Sequence, residues 1–432
     1  MKIHCLLVSA LFGMCLGLPG TVAAAPLSKH PVEQLEVPAE SPAYAEFRTG
    51  VAALLRGDQQ AAEKAFQAAT RIDPALAAPL LGLADVALKQ GRDKEAKQWL
   101  TKAALADPGS DQPHIGWARY HRTRKNYQDA GLALKKAIEA KPSAVAYLEL
   151  GDLYLANLDD KPAALAAYEQ AGALAPDNAM VRYSLAVGLA ANGQVSRAIP
   201  EFERVAAMRP DDPEPWRAMG RLHAEQHRVE DAIRAFERGL SLQPNHVPLL
   251  VDRGDLAVAQ GKPDEAVRYF EEAARQVPAS SAVRVKLGLT FHLARRWNEA
   301  EAAYVEAIRL DAKAADAYNN LAWLLVERGM RLDEAVKWAE KATQLAPRRS
   351  SYFDTLGWAY RARGELDKSA QTLLKASRME PPSADVHYHL GVVHAERGNR
   401  PDAVGALRRA LELAPGFSHA ADARDRLKAL GG

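Results

Sequence analysis

The sequence predicts an all-α solenoid of about eleven tandem helix–turn–helix units, closed by a short C-terminal helix. Three observations predict it. Prolines fall on a beat: Pro74, Pro108, Pro142, Pro176, Pro210, Pro244 and Pro278 are each 34 residues apart, Ala312 takes the next place, and Pro347, Pro381 and Pro415 follow. A small residue recurs at one offset inside each interval, as Ala62, Ala96, Ala130, Ala164, Ala198, Ala232, Ala266 and Ala300. Apolar residues recur at helical spacing, and no stretch alternates as a strand does. Self-similarity at this period marks stacked repeats.

The N-terminus reads differently. Lys2 precedes an apolar run from Ile3 to Leu18, Pro19 and Gly20 break it, and Val22-Ala23-Ala24 supplies small residues for cleavage. Residues 1–24 are therefore expected to be a secretory signal peptide, which places the mature protein in the periplasm or outside the cell. The run is shorter than the roughly 20 residues that span a bilayer, so the processed chain is expected not to be integral to the membrane. Met14 and His4 precede the two cysteines, Cys15 and Cys5, and neither is the small residue expected before a lipidated cysteine. Cleavage removes both, leaving no disulfide, no thiolate metal site and no cysteine nucleophile. Residues 25–42 carry four prolines and read as an extended linker.

Composition bounds the rest. Of the 432 residues, 48% are apolar and 25% charged, which fits a folded chain and not a disordered one. The 56 Lys and Arg balance 54 Asp and Glu, so there is no electrostatic case for nucleic acid.

The units run 43–76, 77–110, 111–144, 145–178, 179–212, 213–246, 247–280, 281–314, 315–349, 350–383 and 384–417, approximately, with residues 418–432 as the cap. With the proline counted as position 32, the sixth unit reads Trp216, Met219, Gly220, His223, Ala232, Phe236, Gly239 and Pro244 at positions 4, 7, 8, 11, 20, 24, 27 and 32. The tenth reads Phe353, Leu356, Gly357, Tyr360, Ser369, Leu373, Ala376 and Pro381. Positions 4, 7 and 11 share one face of a first helix, and 20, 24 and 27 one face of a second. Small residues at 8 and 20 let the helices approach, the large residue at 24 fills the gap, and the proline ends the second helix. One hairpin cannot bury its apolar face alone, so neighbours stack.

This pattern resembles the tetratricopeptide repeat over nearly the whole mature chain. The resemblance implies a right-handed superhelix, with partners lying in a concave groove lined by first-helix positions 2, 5, 6, 9, 12 and 13. Two units depart from the pattern. In the fourth, Tyr147, Leu150, Gly151 and Tyr154 sit one place early, with an extra residue near Leu158-Asp159-Asp160. In the ninth, Gly329-Met330-Arg331-Leu332 lengthens the turn. The segment Ser418 to Leu430 has Ala421, Leu427 and Leu430 on one side and reads as the solvating cap.

No catalytic constellation survives inspection. His223-Ala-Glu-Gln-His227 is in neither zincin order. His121, His223 and His394 all occupy position 11, where other units place Tyr360 or Phe291, so they read as packing residues. Of His387, His389 and His394, the first and last fall at packing positions and His389 points elsewhere on the helix. Asp159-Asp160 and Asp211-Asp212 fall at turns and helix starts, where carboxylates cap. The chain is expected to be a non-enzyme without cofactor or metal.

Groove positions give the functional reading. The Lys and Asn clamp of chaperone-binding members is absent, because positions 5 and 9 hold Leu81 and Asp85, Ile115 and Arg119, and Arg217 and Arg221. Two patches stand out. Arg119, Arg122, Arg217 and Arg221 place positive charge on the groove side. Asn319, Asn320, Trp323, Asp354, Trp358 and Tyr388 gather flat aromatics with amides and carboxylates, a set suited to a peptide or a sugar chain. The expectation is a scaffold that binds one or more proteins, resembling helpers of envelope or exopolysaccharide assembly. The alternatives are glycan binding on Trp323, Trp358 and Tyr388, or a regulatory subunit of a separate envelope enzyme.

Overall fold

The computed structural model describes residue 35 and residues 37–431. The expected signal peptide, and the linker up to residue 34, lie outside the described residues.

The described residues form 23 helices and no strand. Six hairpins come first: α1 (Tyr44–Leu55) with α2 (Gln59–Ile72), α3 (Ala77–Lys89) with α4 (Asp93–Ala106), α5 (Gln112–Thr123) with α6 (Tyr127–Ala140), α7 (Ala144–Asn157) with α8 (Lys161–Leu174), α9 (Ala179–Ala191) with α10 (Val195–Met208), and α11 (Glu214–Glu225) with α12 (Val229–Leu242). Five more follow: α13 (Val247–Ala259) with α14 (Pro263–Gln276), α15 (Ser281–Leu293) with α16 (Trp297–Leu310), α17 (Ala315–Glu327) with α18 (Leu332–Leu345), α19 (Ser350–Ala362) with α20 (Leu366–Ser377), and α21 (Ala384–Glu396) with α22 (Arg400–Leu413). The last helix is α23 (Ala420–Ala429). The chain divides into two compact units, one ending at Leu242 and the other beginning at Gln243. Within each, consecutive hairpins stack, and the fold is the all-α repeat class that the sequence predicts.

The small and large positions work as a fitted pair. A Cβ added to Gly254 would lie 2.8 Å from the Phe270 ring, and one added to Gly288 would lie 2.7 Å from Tyr304. The ring at position 24 thus occupies the space a side chain at position 8 would take. All eight alanines of the position-20 series are fully buried. Where Ser369 replaces alanine, its hydroxyl donates to the Gly357 carbonyl at 2.7 Å, so the buried oxygen is satisfied.

Second helices end for two reasons. Asp73 takes an extended backbone (φ −139°, ψ 95°) before Pro74, as residues preceding proline do. Yet α16 stops in the same way before Ala312: Asp311 is extended, and its carboxylate accepts from the Lys313 amide at 2.8 Å. The proline therefore reinforces a stop that the capping aspartate also makes.

Both irregular units absorb their extra residue in the turn. In the fourth, Leu158 donates to the Leu153 carbonyl and Asp160 to that of Tyr154, a wider closure than elsewhere. The Asp160 side chain then caps α8 by accepting from Ala163 at 3.0 Å. In the ninth, Arg331 takes a left-handed φ of 50° immediately before α18.

Two expectations at the ends need correction. The linker was expected to be extended up to residue 42, but Val37 is buried with Phe47, Val51 and Leu54, and Leu35 packs beside them. Apolar side chains in a Pro-rich segment still bury when a hairpin face lies beside them. In the cap, Ala421 is exposed, and the buried face is Ala420, Ala423 and Leu427, which share one side at helical spacing.

Candidate functional site

First helices of the eighth to tenth predicted repeats, α15, α17 and α19, present their groove positions to a cavity of about 550 Å³. Leu289 lines it from α15, Asn319, Asn320 and Trp323 from α17, and Asp354 and Thr355 from α19. Asn319 and Trp323 are four residues apart, one turn of helix, so their side chains lie on the same face.

The polar atoms here are unevenly satisfied. Asn319 Nδ2 donates to Asn320 Oδ1 at 3.3 Å. Asn319 Oδ1 and Trp323 Nε1 are buried and have no hydrogen-bond partner. One is an acceptor and the other a donor, and an unmet buried polar atom costs about 1–3 kcal/mol. The charges on the rim are matched. Arg349 donates to Asp316 and to the Tyr352 hydroxyl, both at 2.8 Å, and the Tyr352 hydroxyl donates to Asp316 at 2.5 Å. Burial, reinforced by Asp316, pushes the Tyr352 hydroxyl above its ordinary range. Lys286 binds Asp255 at 2.7 Å. The cavity thus offers neutral donors and acceptors against an apolar wall, with no net charge that would select an ion.

The rest of the predicted aromatic patch is spent elsewhere. Trp358 and Tyr388 are not among the lining residues. The Trp358 ring stacks on His389 at 4.1 Å, with the Arg361 guanidinium 4.3 Å from its centroid. The Tyr388 hydroxyl donates to Asp422 of the cap at 2.7 Å, and its ring stacks on His419 at 4.6 Å. Burial, then the Asp422 bond, pushes that hydroxyl up to about 12. Burial, then the nearby His389, pushes His419 below its ordinary value. Asp354 touches the cavity wall but is itself buried, held by His389 Nδ1 at 2.8 Å.

His389 is the residue that sequence reasoning missed. It does not point away; it lies buried between Asp354 and Trp358 and ties the tenth repeat to the eleventh. The signal available was its position 6, one place beyond the position 5 that Asp354 holds in the preceding repeat, which repeat-to-repeat pairing would have flagged. Of the three rings expected to form a stacking platform, Trp323 lines the cavity, while Trp358 packs on His389 and Tyr388 on His419.

The predicted positive patch is also neutralised. Arg119 and Arg122 both bind Glu149 of the next repeat, at 2.9 and 3.0 Å. Arg217 lies 3.4 Å from Glu214, and Arg221 has an interaction partner too. Position 5 of the fourth repeat supplies the acid, so charge at one repeat is read only with its neighbour in view.

Of the position-11 histidines, His394 is buried and His223 half-buried, with Arg228 donating to the His223 ring at 3.1 Å. Burial, then Arg228, lowers the His223 value. Among the described residues no group of three or more His, Cys, Asp or Glu could hold a metal ion, and no helix is long and apolar enough to cross a membrane.

No curated protein matches the sequence. Among solved structures, yeast Tom70 is 14% identical with a TM-score of 0.49, covering 90% of this chain and 95% of its own. The Cut9–Hcn1 hetero-tetramer of the APC/C gives 15% and 0.47, covering 91% and 97%. A tetratricopeptide repeat protein from Parabacteroides merdae ATCC 43184 gives 15% and 0.49, covering 59% and 99%. A tetratricopeptide repeat model matches residues 53–115, and the family described as the cilia and flagella-associated protein 70 C-terminal domain matches residues 173–430. Matched to that repeat family over more than half its length, the chain belongs to the tetratricopeptide-repeat family of the cilia and flagella-associated protein 70 C-terminal domain.

Proposed function

We propose that the chain is an exported, non-catalytic scaffold that holds an extended segment of a partner protein in the cavity formed by α15, α17 and α19. The observation that carries this reading is the unmet pair, the Asn319 Oδ1 acceptor and the Trp323 Nε1 donor, both buried and both belonging to residues that line that cavity. A peptide group has one N–H and one C=O, and satisfies both at once. Leu289 and the Trp323 ring supply apolar wall for the side chains of such a segment. Export rests on the leader pattern of residues 1–24, and a role in envelope or exopolysaccharide assembly follows from that placement.

The test is a library of random twelve-residue peptides panned on the full chain, followed by affinity measurement. Trp323→Phe keeps a ring and deletes the donor; Asn319→Ala deletes the acceptor. Selected peptides are expected to lose about tenfold with either change, near 1.4 kcal/mol each, while the melting temperature is unchanged or higher. Peptides indifferent to both substitutions would overturn the reading. Placement is checked separately: expressed with its leader in a bacterial host, the protein should begin at Ala25, and an intact N-terminus on cytosolic protein contradicts export.

A further inference from the structure

In the first compact unit, the groove position equivalent to the cavity is occupied by the chain itself. Leu35 packs against the cluster that holds Leu81 and Ala84 of α3 and Leu100 of α4, and with Leu81, Asp85 and Leu88 of α3 and Gly116 and Arg119 of α5 it lines a residual space of only about 30 Å³. Leu81 and Asp85 are positions 5 and 9 of the second repeat, and Gly116 and Arg119 are positions 6 and 9 of the third. These are the positions that Asn319, Asn320 and Trp323 hold in the ninth. The segment is held from its other end as well. Val37 is buried against Phe47 and Val51 of α1, and Ser41 donates to the Pro38 carbonyl at 2.9 Å, which turns the chain into α1. Leu35 packs against the cores of both the first and the second hairpin, and Val37 is buried in the first.

We propose that Leu35, tethered to the first repeat through the buried Val37, is a self-ligand that closes the groove of the second and third repeats. Any external segment of the same chemistry reaches that slot only by displacing it. The Gly116 site supports the assignment: a Cβ there would meet Leu100 and lie 3.2 Å from Leu81, so the slot is floored by backbone and leucine side chains, an apolar surface that matches Leu35. The proposal is independent of the reading for the α15–α17–α19 cavity, because it concerns other residues in the other compact unit.

The experiment uses a fluorescent peptide of residues 33–41, EQLEVPAES, titrated into the purified full chain by anisotropy. A short tether holds its ligand at an effective concentration on the order of 1 mM. A closed strap therefore weakens peptide binding by the factor by which it is closed. Leu35→Asp is expected to bind the peptide at least tenfold more tightly than the unaltered chain. Leu88→Asp placed on top of Leu35→Asp is expected to remove that gain. Circular dichroism confirms folding, and if Leu35→Asp melts early, Leu35→Ala is measured in its place. Equal affinity for the unaltered and strap-altered chains overturns the proposal. So does absence of binding to the altered chain up to about 1 mM peptide, or a gain that survives Leu88→Asp.

Discussion

The two compact units build the same hairpin and finish their grooves in opposite ways. In the unit ending at Leu242, groove positions are spent internally: Leu35 fills the slot over α3 and α5, and Glu149 takes both Arg119 and Arg122. In the unit beginning at Gln243, the groove over α15, α17 and α19 keeps a cavity of about 550 Å³ with Asn319 Oδ1 and Trp323 Nε1 unmet. The difference teaches that the repeat positions fix where a side chain points and leave open whether it is used. Use is decided by the neighbouring repeat and by segments outside the repeat altogether.

The sharpest way to break the comparison is to ask whether the two frames are equivalent where they should be. Phe236 and Phe270 occupy position 24 in one unit and the other, both buried, each beside a position-8 glycine. Truncation of either to alanine is expected to cost about 3–5 kcal/mol, because the glycine opposite has no side chain to refill the space. Urea denaturation of each variant checks this. In an array, where repeats touch only neighbours, hydrogen exchange should rise first in the repeats beside the change. A loss below about 1 kcal/mol for one and not the other would show that the frames differ in kind.

A smaller effect separates the two ends of the second unit by pH. Burial lowers His387, His394 and His419 below the ordinary 6.5, with His389 adding to the effect on His419. A histidine whose folded value is depressed favours the unprotonated folded state. Its contribution is fully present above about pH 6.5 and is lost as the pH falls from there through the folded values. Asp385 works with opposite sign, since burial raises it, but that acts in the carboxylate range further down. Acidification from about pH 7 to about pH 5.5 is therefore expected to lower hydrogen-exchange protection, corrected for the intrinsic pH dependence of amide exchange, in α21 to α23 more than in α13 and α14. Equal change in both regions would remove the histidines from the account.

Much of the fold was legible in the sequence because the repeat states it many times over. Eight buried alanines at position 20 and glycines set against rings at position 24 are local rules, each visible within one interval. The turn insertions near Asp159 and Arg331 were legible for the same reason, as breaks in a known count. The groove was only half legible. Asn319 and Trp323 could be placed on the inner face, but the His389 pairing with Asp354 joins residues 35 apart, and the His419 stack on Tyr388 joins the cap to a repeat. Leu35 was lost in a proline-rich stretch whose composition suggested a spacer. Contacts between repeats, and between repeats and tails, follow from three-dimensional stacking, which a one-unit alignment does not contain.

The smallest expected effect tests the charge clamp. Glu149→Gln keeps the shape of the side chain and removes the anion that Arg119 and Arg122 share. The three side chains are 17%, 21% and 36% exposed, so water already screens the pair. The expected loss is therefore at most about 1 kcal/mol, far below the value for a buried phenylalanine. Because the interaction is screened, the difference between the two proteins should shrink as salt is raised from about 0.05 M to about 0.5 M. Chemical denaturation at both salt concentrations measures it. A loss above about 2 kcal/mol that salt leaves untouched would mean the carboxylate acts through packing rather than charge. The first unit's groove would then be closed by shape at both Leu35 and Glu149, and its arginines would be spacers rather than half of an ion pair.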